Sequence, residues 1–402
     1  MKIRRAAIVE PIRTAVGKFG GGLAAFSAGE LGAIVLRALM ERSGIDPGHV
    51  DDVVFGQGYP SGEAPSIGRW SWLAAELPQT VPGFQLDRRC GSGLQAIIEA
   101  AMMVQTGVAD VVVAGGAESM SNVEHYSTSL RNGQRSGGIE LHDRLVRARV
   151  MSQPVERYGV ISGMIATAEN LARDYGITRE QSDSYAVRSH QRAAAAWRDG
   201  KFANEIVPVA IPQKRGEPII FDHDECYRAD VSLETLAALR PIEGGVVTAG
   251  NASQQNDAAA ACLVISEDRL VELGLEPAGW FVGWAAAGCD PSRMGIGPVP
   301  AVQRLFARTG LGWEDIDLIE LNEAFAPQVL AVLKAWGWSE DDSRFDKLNV
   351  NGSGISLGHP IGVTGVRIVA TMLRELSRRR AHYGLETMCI GGGQGLAAIF
   401  ER

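Results

Sequence analysis

The stretch Asp87-Arg88-Arg89-Cys90-Gly91-Ser92-Gly93 sets a cysteine behind two arginines and ahead of two glycines. It opens the run 94–104, in which only Gln95 and Glu99 are polar. A helix apolar on nearly every side is a buried helix, so Cys90 is expected at the N-terminus of a central one. Free amides and the helix dipole there favour an anion, and thiols so placed have pKa values lowered to ~3.5–7.5. The same pattern also suits an inert buried thiol. Three further clusters could do chemistry: Asn322-Glu323-Ala324-Phe325, Gly358-His359-Pro360-Ile361-Gly362-Val363-Thr364-Gly365, and Cys389 ahead of Gly391-Gly392-Gly393-Gln394-Gly395. Each also has a plain structural reading: a helix cap, a histidine bonded to backbone in a turn, and a core cysteine. The glycine run does not read as a dinucleotide loop, because 396–400 is strand-like and phosphate-binding glycines must open a helix.

The elements around these clusters alternate. Residues 5–9, 50–55 and 110–114 read as strands, and 30–43 as an amphipathic helix, which predicts a largely parallel, covered sheet. From about 123 to 250 the texture changes to Arg-, Gly- and Ser-rich loops, helices over 163–173 and 179–198, and strands near 207–211. This segment reads as an insertion, after which 258–265 resumes an apolar strand. The last third repeats the first: 45–54 resembles 311–319, Cys90-Gly91-Ser92-Gly93 resembles Asn351-Gly352-Ser353-Gly354, and 111–116 resembles 388–393. Two similar halves would bring strand ends and helix starts into one cleft, where α/β folds favour catalytic loops.

The 402 residues are enough for two or three domains, and 46% hydrophobic with 21% charged residues describes a soluble globular chain. A net charge of −8 argues against nucleic acid as partner, so a phosphate-bearing ligand needs a local basic patch. Five scattered cysteines without a CxxC pair predict neither a disulfide framework nor a zinc site. Without a secretory leader, a membrane span of ~18 apolar residues or a peroxisomal tripeptide, the expected place is the cytoplasm.

Taken together, CGSG near residue 90, NEAF, GHPxGxxG and CxGGGxG resemble the thiolases in order and spacing. The resemblance covers essentially the whole chain and includes Gly115-Gly116-Ala117-Glu118-Ser119-Met120-Ser121 and Thr248-Ala249-Gly250-Asn251-Ala252-Ser253. It implies an α/β thiolase fold of two similar halves in a five-layer α-β-α-β-α core. The halves would be 1–122 plus 250–275 and 276–402, with an inserted CoA-binding loop domain at 123–249. It implies an acyltransferase of the acetyl-CoA C-acetyltransferase or 3-ketoacyl-CoA thiolase type, making or cleaving 3-ketoacyl-CoA with acetyl-CoA and CoA. Cys90 would be the acylated nucleophile, His359 its base, and Cys389 the second acid/base at the α-carbon. One oxyanion hole would use His359 and a water held by Asn322, the other the amides of Cys90 and Gly391. Ser253 would contact the pantetheine arm and Arg228 approach the nucleotide end. Met164, Met294 and Phe325 would line the acyl pocket. No metal or resident cofactor, no membrane and a homodimer or homotetramer are implied, with loop 129–143 the place for tetramer contacts, and fatty acid metabolism or β-oxidation as setting.

Three positions depart from the family pattern. Gly163 stands where biosynthetic members carry histidine, Asp87 where asparagine is usual, and Gln254-Gln255 where smaller residues follow the GNAS run. The first and third leave acyl-chain length open. A decarboxylating β-ketoacyl synthase would pair the nucleophile with two histidines, whereas the second position here is Cys389. A non-catalytic acyl-CoA or lipid-binding relative would be expected to have lost Cys90 or His359.

Overall fold

The strands are apolar on both faces because both faces are covered. In the strand Asn256–Ser266, Ala258, Ala260, Cys262 and Val264 enter one hydrophobic cluster, and Ala259, Ala261, Leu263 and Ile265 enter another. Period-two alternation with no polar side places a strand between two helical layers. The computed structural model describes residues 3–339 and 342–402.

The first half runs β1 (Ala6–Thr14), α1 (Ala28–Ser43), β2 (Asp52–Gly56), α2 (Ile67–Ala74), β3 (Gly83–Leu86), α3 (Ser92–Thr106) and β4 (Val111–Ser119). An insertion follows with helices α4 (Arg144–Val150), α5 (Met164–Asp174) and α6 (Arg179–Arg198), and the half is completed by β5 (Asn256–Ser266). The second half runs β6 (Gly279–Gly288), α7 (Pro298–Thr309), β7 (Ile316–Leu321), α8 (Ala326–Ala335), α9 (Gly354–Leu357), α10 (Thr364–Arg379), β8 (Tyr383–Ile390) and β9 (Gln394–Glu401). Strand order in the first half is β3-β2-β4-β5-β1. In the second it is β7-β8-β9-β6, with a parallel bridge from Ile319 to Leu348 standing where β3 stands in the first. The duplication is thus a duplication of topology, and β1 joins β6 antiparallel through Ala7–Trp280 and Ile8–Gly279.

Between the two halves lie α3 and α10, which pack on each other and on strands of both. Their side chains share one cluster with Val54, Val112, Met388, Ile390 and Phe400. Outside lie α1 on the first half and α7 with α8 on the second. This is the five-layer arrangement of helix, sheet, helix, sheet and helix. The insertion is fastened by Arg13 of β1, whose buried guanidinium pairs with Glu205 and Asp224 at 2.7 Å each. Removing one partner of such a buried network costs about 3–5 kcal/mol.

Two expectations need correction. The sheet is mixed, not largely parallel: only β2–β3, β2–β4 and β7–β8 run parallel among its main pairs. The turn 391–393 between β8 and β9 is too short for a crossover helix, so those strands pair antiparallel. Gly392 and Gly393 take positive φ there, at 86° and 83°. Asn351-Gly352-Ser353-Gly354 also does not open the second central helix. It leads into the four-residue α9, and α10 begins only at Thr364, after the His359 turn. The positional counterpart of Cys90 at the head of a central helix is therefore the His359 turn.

Candidate active site

Cys90 lies in the single-turn 3-10 helix Arg89–Gly91 that runs straight into α3. Arg89 is held at φ 49°, a strained value for a side-chain-bearing residue. The local hydrogen bonds show what holds it. Arg89 N–H donates to Asp87 Oδ1 (2.7 Å), Arg88 N–H to Ser92 Oγ (2.9 Å), and Ser92 Oγ to the Arg89 carbonyl (2.7 Å). The arginine heads find their hydrogen bonds elsewhere, Arg88 on Gln394 Oε1 (3.3 Å) and Arg89 on the Ala148 carbonyl (3.4 Å). Asp87-Arg88-Arg89 is therefore a brace for the turn. The expectation of an acidic thiol is corrected as well. Burial pushes Cys90 above its ordinary 9.0, while the Gly391 amide, the Arg89 charge and its own amide pull the other way. Desolvation outweighs the helix start, so Cys90 rests as a thiol and needs a base.

A base stands in the same cleft. His359 is pushed down to about 3 by burial, then by the charges of Arg367 and Arg149, so its imidazole is neutral at ordinary pH. Thr364 Oγ1 donates to the Pro360 carbonyl (3.0 Å) and lies 2.7 Å from His359 Nδ1. Because Nε2 is the nitrogen left to take a proton from the cleft, the ring proton is assigned to Nδ1, where Thr364 Oγ1 is placed to accept it. The His359 backbone N–H is fixed on Asn256 Oδ1 at 2.8 Å.

Asn322 and Cys389 stand just behind the cleft wall, both fully buried. Asn322 Nδ2 is 3.4 Å from His359 Nδ1 and 3.5 Å from Nε2, too evenly placed to be a directed bond to either. Among the described residues its Oδ1 has no hydrogen-bond partner. Cys389 is the last but one residue of β8 and packs with Met294, Ala324 and Phe325. Burial holds its thiol well above 9.0, with the Cys90 sulfur adding to the rise. Gly391, two residues on, presents its amide to Cys90. The halves approach so closely here that a Cβ on Gly116 would come within 1.9 Å of the Gly362 carbonyl, and one on Gly365 within 2.1 Å of Leu94 N. Glycine is required at both.

The cleft has a volume of about 580 Å³, and Cys90, His359, Met164, Met294, Phe325 and Ser253 all line it. Ser253 is positioned by the NEAF stretch: its N–H donates to the Ala324 carbonyl (2.9 Å), and Ala252 pairs with Phe325. Glu323 accepts from Tyr185 and Ser189 of α6 and from Asn349, locking insertion to second half. Arg228 does not line this cleft. It borders an adjoining cavity of about 350 Å³ that shares Ala249 and Gln254 with it. Gly163 faces the cleft and starts α5.

Sequence reasoning passed over Thr364, Asn256, Arg149 and Glu118. Thr364 and Glu118 carried a signal, the one five residues after His359 inside the same motif, the other inside the Gly115–Ser121 run. Glu118, pushed up to about 7 by burial, accepts from the amides of Gly58, Tyr59 and Gly362 and so clamps the two halves beside the site. Among the described residues no cluster of His, Cys, Asp and Glu could hold a metal ion, and no helix is long and apolar enough to cross a membrane.

Two mirrored α/β halves with a cysteine at one central helix and a histidine at the other define a thiolase-type fold and site. The thiolase N-terminal domain profile matches residues 6–268 and the C-terminal domain profile residues 275–402. An acetyl-CoA acetyltransferase of Chromobacterium violaceum is 47% identical over 398 residues, 98% of this chain and 99% of that protein. The crystal structure of the Bacillus anthracis acetyl-CoA acetyltransferase superposes with TM-score 0.93 at 41% identity, covering 100% and 99% of the two chains. Human mitochondrial 3-ketoacyl-CoA thiolase in complex with CoA superposes with TM-score 0.91 at 38% identity, covering 99% and 98%. The chain belongs to the thiolase family.

Proposed function

We propose that this thiolase catalyses the reversible Claisen condensation and thiolytic cleavage of 3-ketoacyl-CoA with acetyl-CoA and CoA. In the acylating step the Cys90 thiol passes its proton to His359 Nε2, attacks the thioester carbonyl, and CoA leaves as its thiol with that proton. In condensation the Cys389 thiol first passes its own proton to His359, the Cys389 thiolate takes the α-proton of a second acetyl-CoA, and the carbanion displaces Cys90, which leaves as a thiolate and recovers a proton from His359. Cleavage runs these steps in reverse, with the protonated Cys389 giving its proton to the departing acetyl-CoA carbanion. The observation that carries the reading is a second buried thiol, Cys389, packed behind the cleft that Cys90 and neutral His359 both line. Separate groups for acylation and for the α-proton are what a carbon–carbon bond next to a thioester requires. Asn322 beside His359 and the amides of Cys90 and Gly391 are suited to the two oxyanions.

The segment 123–249 is assigned to CoA, between the halves 1–122 plus 250–275 and 276–402. Ser253 is placed on the pantetheine arm and Arg228 toward the nucleotide, with Met164, Met294 and Phe325 around the acyl group. CoA acts as substrate, with no resident cofactor. A cytoplasmic homodimer or homotetramer in fatty acyl breakdown is the setting this reading favours. Leu130, Ile139 and Leu141 are exposed in the loop assigned to tetramer contacts. The test is Cys389→Ala. It should still take an acetyl group from acetyl-CoA, yet lose thiolysis of acetoacetyl-CoA. Normal turnover would overturn the acid/base role.

A further inference from the structure

The cleft carries a cation that the thiolase reaction does not call for. Arg149, from α4, lines the same cleft as Cys90 and His359. Its Nε donates to Tyr59 Oη at 3.2 Å. With the Gln255 amide turned to face it, both terminal nitrogens lie 3.2 Å from the Gln255 oxygen. Among the described residues no carboxylate lies within ion-pair distance of it, in contrast to Arg13 or Arg144. The guanidinium is thus aimed and half-buried, and its neutral partners do not balance its charge. Around it Tyr59, Met120 and Leu145 form a small apolar cluster with Ile361, distinct from the cluster of Met164, Met294, Phe325 and Cys389, and the two line the same cleft. Gln255 is one of the residues at which the chain departs from the family pattern, and here its larger amide orients Arg149.

We propose that Arg149 receives a carboxylate at the far end of the acyl chain, so that the substrates are 3-ketoacyl-CoA thioesters of dicarboxylic acids. This rests on the thiolase reading and names its substrate class. Cleavage then yields acetyl-CoA and an ω-carboxyacyl group on Cys90, which CoA carries off. The phosphates of CoA are the other anions within the ligand, but the pantetheine arm holds them far from the sulfur. Arg149 instead sits close enough for its charge to act on His359. Tyr59, its hydrogen-bond partner, feels both Arg149 and Cys90. Each terminal nitrogen of Arg149 keeps one N–H beyond its bond to Gln255, and a charge-assisted bond from such a donor suits a carboxylate.

The experiment measures kcat/KM in thiolysis for a 3-ketoacyl-CoA ending in carboxylate, for its methyl ester, and for acetoacetyl-CoA, with wild-type protein, Arg149→Met and Arg149→Lys. The wild type should favour the free acid over its ester, and Arg149→Met should cut the acid-to-ester ratio about 10- to 100-fold, the scale of a lost charge-assisted hydrogen bond. Arg149→Lys should recover part of the ratio. The ratio is internal, so a general loss of folded protein cancels. An equal wild-type rate on acid and ester overturns the proposal, as does a ratio unmoved by Arg149→Met. A rise in KM for CoA with the ratio intact would assign Arg149 to the CoA phosphates and also overturn it. Wild-type failure on every 3-ketoacyl-CoA, acetoacetyl-CoA included, would instead strike the thiolase reading itself.

Discussion

Replacing Thr364 by valine keeps the shape of a fully buried side chain and deletes one hydroxyl. That hydroxyl accepts the Nδ1 proton of His359 at 2.7 Å while donating to Pro360 at 3.0 Å. Without it the buried N–H has no partner, at a cost of about 1–3 kcal/mol. The ring can then recover by moving its proton to Nε2, the nitrogen that must take the Cys90 proton. If the whole cost falls on acylation, the rate drops about 5- to 150-fold. The assay is the burst of free CoA on mixing enzyme with acetyl-CoA, followed alongside the urea midpoint of the same preparation. Thr364→Ser restores the hydroxyl and should restore the burst. A Thr364→Val enzyme with a normal burst and only a lower midpoint would refute the positioning role and the tautomer assigned to His359.

Two pH predictions follow from burial. His359, held near 3, is already neutral across the range where a free imidazole titrates, and Cys90 stays a thiol past 9.0. The acylation rate should therefore be level from about pH 5 to 8; an inflection near 6.5 in stopped-flow traces would show that the imidazole is solvated. Glu320, raised from 4.5 to about 8 mainly by burial, retains a proton on folding that the unfolded chain has lost between those values. Its contribution is complete below about 4.5 and disappears as pH rises through about 8. Glu320→Gln should flatten the decline of stability between pH 5 and 9, gaining on wild type as pH rises. Parallel urea curves at every pH would rule the assignment out.

Much of the site was legible because its chemistry sits in contiguous motifs at strand ends. Cys90, Asn322, His359 and Cys389 fall beside one cleft as their loop positions suggested. Thr364 was hidden in the same motif as His359, since nothing in a sequence says which hydroxyl faces which ring nitrogen. Arg149 was less visible still: Gln255 stood out as a departure from the family pattern, but the two are separated by 106 residues and meet only because the insertion folds back over the first half. The α/β character followed from the alternation of apolar runs, and the five-layer core from the family resemblance. Strand direction did not, because β5 and β9 look like any buried strand, and only the short 391–393 turn reveals that β9 reverses. The acidity of Cys90 was misjudged for a related reason. The helix start and neighbouring arginines are local features, whereas the burial that outweighs them is built by both halves together.

The central claim is that Cys90 carries the acyl group, and peptide mass mapping after brief incubation with acetyl-CoA and acid quench tests it most directly. The account predicts one added acetyl mass on the peptide containing Cys90, removed by adding CoA. Acetyl on a peptide containing Cys389 or Cys226 instead, or none in wild-type protein, would contradict it.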